Sequence, residues 1–153
     1  MAFAAGQILL ASQLNAQAGV SNVDNTVRTT TSTAWTSTLT APTICGTSFT
    51  APPSGKVMVN FRCSLVNSGA GNYSGMSPEI RAGTTVGSGT LFLAADDNRA
   101  ISTSGTVFEE GGASILVTGL TAGSSYNAFA CHRVSAGTGT YARREVVVLP
   151  TLA

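Results

Sequence analysis

Thr118-Gly-Leu-Thr-Ala-Gly-Ser-Ser-Tyr-Asn-Ala-Phe-Ala-Cys-His-Arg-Val134 opens as a turn with two glycines and closes as a strand. Leu120, Gly123 and Tyr126 have the spacing of a tyrosine corner, in which a tyrosine hydroxyl ties a strand back to the loop before it. The Gly/Thr turn at Ala136–Thr140 and a last apolar strand, Tyr141–Leu149, follow. A short glycine-containing turn between two such runs predicts a tight hairpin near the end of an all-β domain.

Outward from that stretch, Lys56–Val66 alternates cleanly. Val57, Val59, Phe61, Cys63 and Leu65 share one face, and Met58, Asn60, Arg62 and Ser64 share the other. Period-two alternation of this length predicts a strand with one face in the core. Tyr73–Arg81 contains Pro78, which predicts an edge strand or a bulge. Thr90–Ala95 is a short apolar strand. Arg99–Ser104 and Thr106–Glu110 are spaced for a hairpin about Ser104-Gly105, and Ala113–Thr118 reads as a buried strand. Val27–Thr40 is dense in threonine, which suits a pleated, half-buried surface better than a helix. Eight to ten short strands without βαβ alternation predict an all-β fold, a jelly-roll-like β-sandwich. Glycine-rich stretches at 67–72 and 83–89 are expected loops.

The first 25 residues differ from the rest. Ile8, Leu9, Leu10 and Leu14 stand among good helix formers, and Ser12 can cap a short helix over 13–18. A helix of that length is not stable alone and must dock. Residues 1–25 are therefore expected to be a docking segment and polar linker, and residues 26–153 the β-sandwich domain. No Lys or Arg precedes Arg28, which argues against a secretory leader. Ile8–Ala11 is too short to cross a bilayer.

Charged residues are 10% of the chain, net charge is +1, and Ser and Thr supply about a quarter of the residues. So little charge favours a surface largely covered by copies of the same chain or by a larger assembly, the alternative being a hydroxyl-rich β surface in an ordinary monomer. It leaves no basic footprint for nucleic acid and no polybasic anchor for a membrane. Cys45, Cys63 and Cys131 are odd in number and widely spaced, so buried free thiols are expected, with no cofactor or metal site.

His132 is the single histidine, so any nucleophilic triad passes through it. No Gly-x-Ser-x-Gly elbow accompanies it, and a place within a sheet or at a subunit interface is expected. Asp96-Asp97-Asn98 lacks the rest of a calcium loop and is expected to be a solvated turn. Glu109-Glu110 cannot face one cleft as a glycosidase pair, because neighbours on a strand point to opposite faces. They can pair with Arg143-Arg144 across strands or subunits. Tyr73 and Tyr141 flank glycine-rich turns and are the candidates for stacking on a glycan.

Two sets of motifs resemble a known family. Ala5-Gly-Gln-Ile-Leu-Leu-Ala-Ser-Gln-Leu-Asn15 resembles the short opening segment of tail-fibre, minor-tail and head-decoration proteins of tailed bacteriophages. Ser54–Phe61, Val117–Tyr126 and His132–Thr140, closed by Arg143-Arg144, are similar to the β domains of phage minor tail and decoration proteins. The Gly-Leu-Thr-x-Gly-x-x-Tyr motif also resembles a fibronectin type III domain, but Trp35 lies outside the window such a domain would occupy. The phage resemblance implies a trimeric jelly roll of the tumour-necrosis-factor-like kind. It implies a non-enzymatic virion protein made in the host cytoplasm and partnered by itself and by capsid or tail proteins. Ile8, Leu9, Leu10, Leu14 and Asn15 would dock it. From the residues alone, His132, Arg143 and Arg144 are the candidates for a subunit interface.

Overall fold

The structure is a computed structural model that describes residues 18–40 and 43–151. Among the described residues ten strands run β1 (Val20–Asp24), β2 (Arg28–Thr30), β3 (Gly46–Thr50), β4 (Val57–Asn67), β5 (Ser74–Ala82), β6 (Leu91–Leu93), β7 (Ile101–Thr103), β8 (Glu109–Val117), β9 (Ser125–Val134) and β10 (Gly139–Pro150). They form two antiparallel five-stranded sheets. One has the order β1-β10-β4-β8, with β2 also on β10; the other has the order β3-β9-β5-β6, with β7 also on β5. The fold is a β-sandwich.

Its connectivity is jelly-roll-like. The partners are nested: β1 with β10, β3 with β9, β4 with β8, and β5 with β6 and β7. The chain thus behaves as one long hairpin, folded at residues 83–90 and rolled so that successive pairs fall in alternate sheets. Val57, Val59, Phe61, Cys63 and Leu65 are all buried, as their alternation predicts, and they face Met76, Ile80, Tyr126 and Ala128 of the other sheet.

The tyrosine corner is present. The Tyr126 hydroxyl accepts a hydrogen bond from the Thr121 amide at 3.1 Å, Leu120 is buried, and Gly123 has φ +78°. The expected hairpin after it is not formed, because β9 and β10 lie in opposite sheets. The linking residues 135–138 bond elsewhere: the Ser135 amide donates to Tyr73 O, and Thr138 O accepts from the Ser68 amide, each at 2.9 Å. The hairpin about Ser104-Gly105 fails in the same way, since β7 pairs with β5 and β8 pairs with β4.

Three further expectations change. Residues 19–25, expected as linker, contain β1, which pairs with β10 over Val20↔Val148 to Asp24↔Arg144. β5 is an interior strand, paired with β9 along its whole length. Pro78 nevertheless sits where β5 has no second neighbour, between the segments paired with β7 and β6. The strand containing Ile115 and Leu116 is exposed rather than buried, because β8 is the edge of its sheet and only Val117 is buried. Residues 13–17 of the anticipated short helix and the docking residues Ile8, Leu9, Leu10, Leu14 and Asn15 lie outside the described residues, and Ala18 is an exposed bend.

Candidate functional site

A β-bulge on β10 organises the polar part of the molecule. The register against β4 passes from Ala142↔Ser64 to Glu145↔Arg62, so two residues of β10 oppose Cys63 alone. Arg143 takes φ +50° there, in the left-handed region. The extra residue resets the alternation. Tyr141 points inward before the bulge, and Arg144, Val146 and Val148 point inward after it.

Arg144 is thereby fully buried, beside β1. One of its nitrogens donates to Asp24 Oδ2, and the same oxygen accepts from Arg28 Nε at 3.0 Å. Asp24 Oδ1 accepts the Thr26 amide at 2.8 Å, and Arg28 Nη1 reaches Thr40 O at 3.2 Å. Burial acts to raise the Asp24 pKa, but the Thr26 amide, Arg28 and Arg144 together hold it below the usual value. Burial lowers the Arg144 pKa, and Asp24 opposes that shift.

His132 lies in the same layer, fully buried, its ring edge-on to Tyr141 at 4.6 Å. Burial, and then the Arg144 charge, push its pKa down to about 3, so the imidazole is neutral. Tyr141 is also fully buried and donates its hydroxyl to Arg133 O at 2.8 Å. The expectations that His132 and Arg144 line a subunit interface, and that Tyr141 meets a glycan, are therefore replaced. All three point between the two sheets of one chain. A triad through His132 has no solvent access. Cys45 and Cys63 are buried free thiols with pKa values pushed up by burial to about 11 and about 12, and Cys131 is buried and shifted in the same direction.

Arg143 keeps a surface position, 71% exposed, and pairs with Glu110 of β8 across the sheet. That bridge lowers the Glu110 pKa. A second bridge, Arg62 to Glu145, lies on the same outer face. Around them this face mixes small polar residues, such as Asn60 and Ser114, with exposed apolar ones. Leu116, Met58 and Leu149 stand in one row across β8, β4 and β10, and Val23, Val27 and Phe108 are exposed towards the other end. Two adjoining grooves there, of about 300 and 420 Å³, share Asn25, Ser64, Glu110 and Arg143 in their lining.

On the other sheet, Tyr73 belongs to a half-exposed stack. The Arg133 guanidinium lies 5.1 Å from the Tyr73 ring centre and 5.5 Å from that of Trp35. Arg133 also donates to both oxygens of Asp97, at 2.8 and 2.6 Å, and the Tyr73 hydroxyl is 3.3 Å from Asp97 Oδ1. The Asp96-Asp97-Asn98 turn is thus tied to the sheet, with Asp96 capping a short 3-10 turn, Asp97–Arg99. No cluster of metal-ligating side chains occurs among the described residues.

Sequence reasoning missed Asp24, Trp35 and two buried asparagines. Asn67 Nδ2 lies within hydrogen-bond reach of Tyr73 O, Ser74 Oγ and Ala136 O, and joins the loops at one end of the sandwich. Asn127 accepts the Gly87 amide and reaches Gly83 O and Ser88 O, which shapes the 83–89 loop. The available signal for Asn127 was its place in an otherwise apolar strand beside a glycine-rich loop. No protein-family profile matches the chain, and no curated protein matches it.

Proposed function

We propose that the chain is a non-enzymatic virion structural protein of a tailed bacteriophage. It would be a homotrimeric capsid decoration or head-fibre protein, docked by residues 1–17 and displaying the sandwich outward. The observation that carries the proposal is the outer face of the β1-β10-β4-β8 sheet. It combines exposed apolar residues with two self-contained ion pairs on a chain with little charge. Such a face suits burial against copies of itself. Jelly-roll sheets are a recurrent solution for capsid domains, and the tumour-necrosis-factor-like variety is the form implied by the sequence resemblance. Light scattering on the full chain should give about three times 15.4 kDa. Deletion of residues 1–17 leaves β1 whole and should abolish attachment to particles while preserving that mass. A monomeric mass for the full chain refutes the trimer, and undiminished attachment of the deletion refutes the docking role.

A second reading, a tail or tail-fibre protein that binds host-surface glycan, is supported by the Trp35–Arg133–Tyr73 stack, since lectins also use jelly rolls. The assembled protein should then mark a glycan array, and Trp35→Ala should remove the signal. An array without hits counts against it.

A further inference from the structure

The polar layer between the sheets carries more positive than negative charge. Two buried guanidiniums, Arg28 and Arg144, share one carboxylate, Asp24, which leaves one cation uncompensated. The other titratable groups of the layer do not balance it. Cys45, Cys63 and Tyr141 are held protonated by burial, and Glu145 pairs with Arg62 on the outer face. A buried charge without a counter-charge is costly, and a buried polar atom without a partner calls for one.

The unpartnered atoms belong to two fully buried side chains of this layer. Arg144 Nε and Nη1 find no hydrogen-bond partner among the described residues, and neither ring nitrogen of His132 has one of good geometry, the Thr36 backbone being the nearest polar influence on the imidazole. Tyr141 and Arg144 are successive inward side chains on β10 because of the bulge, and the His132 ring stands against Tyr141. We propose that this layer is a binding site for a small monovalent anion of the halide type, held by Arg144 Nε and Nη1 and by one N–H of His132. A halide fits better than an oxyanion. The donors number three at most, both side chains are fully buried, and a polyatomic anion would bring acceptor oxygens that find no further donors there.

Crystals of the full chain grown with bromide as the halide test the proposal. An anomalous peak beside the Arg144 guanidinium and His132 is expected. Water density without anomalous signal at that place, or bromide only at surface arginines, overturns it. In solution, the melting temperature of the intact protein should rise with bromide at ionic strength held constant with gluconate. Arg144→Met leaves Asp24 and Arg28 as a balanced pair, and it should abolish that rise. No rise in the unmodified protein, or a full rise in Arg144→Met, overturns the site. If that variant does not fold, the anomalous map decides.

Discussion

Asp24 holds two guanidiniums on a single carboxylate oxygen, so its removal leaves two buried cations facing one another. Asp24→Asn should destabilise the protein by about 3–5 kcal/mol, read as a shift of the denaturant midpoint at fixed protein concentration. A change under about 1 kcal/mol would mean that the guanidiniums have other partners. His132 makes a separate pH-dependent contribution. Its folded pKa, about 3, lies below the ordinary 6.5, so between those values the unfolded chain binds the additional proton. Stability is therefore fully present above 6.5 and falls on acidification, by up to about 1.4 kcal/mol per pH unit from this group. His132→Phe should flatten the pH 4–6 part of the profile. The inward direction of Cys63 was legible from alternation. That of Arg144 was not, because alternation counted from Tyr141 places it outward, and only the additional residue at Arg143 reverses the parity. Asp24 was equally hidden, since a lone acid among small polar residues has the composition of a loop.

Element by element, strands with one apolar face were legible, and their partners were not. Alternation states which side of a strand meets the core and is silent on which strand lies beside it. Residues 135–138 have hairpin composition yet cross between sheets, because their backbone groups bond the 67–73 loop. β8 misled for a related reason: its apolar run matches a buried strand, but it lies at a sheet edge and Leu116 remains 56% exposed. The bulge offers a test at this scale. Arg143 holds a left-handed conformation that a glycine adopts without steric cost, and its bridge to Glu110 is solvent-exposed and worth little. Arg143→Gly should leave stability unchanged or raise it by up to about 1 kcal/mol, whereas Arg143→Val should lower it. Calorimetry of the two variants in parallel checks the order. A loss in the glycine variant would show that the bridge outweighs the strain.

For the whole molecule, the nested pairing makes almost every ladder long-range. The same arrangement leaves the exposed side chains of Leu116 and Leu149 on the outer face of the β1-β10-β4-β8 sheet, while Leu91 and Phe92 are exposed on the other sheet. Leu116→Glu places a charge in the row with Met58 and Leu149 without touching the core. It should convert an assembled species to monomer in light scattering while the far-ultraviolet β signal is retained. An unchanged mass would move the contact to another face. The general architecture was legible at this scale from strand count and turn spacing. The strand order was not, since it depends on pairings between residues more than a hundred positions apart.

Ala18 and Pro150 line one cleft at an edge of the sandwich, and Val20 pairs with Val148 beside it. Mechanical loading of the protein is consequently direction-dependent. Tension between residues 18 and 151 opens the five pairs of the β1–β10 ladder one after another, like a zip. Tension between residue 18 and the loops at the far end, 67–72 and 135–138, draws on the same ladder lengthwise, so all five pairs resist together. A particle that holds this chain by its first residues and takes drag on those far loops would meet the stronger of the two directions.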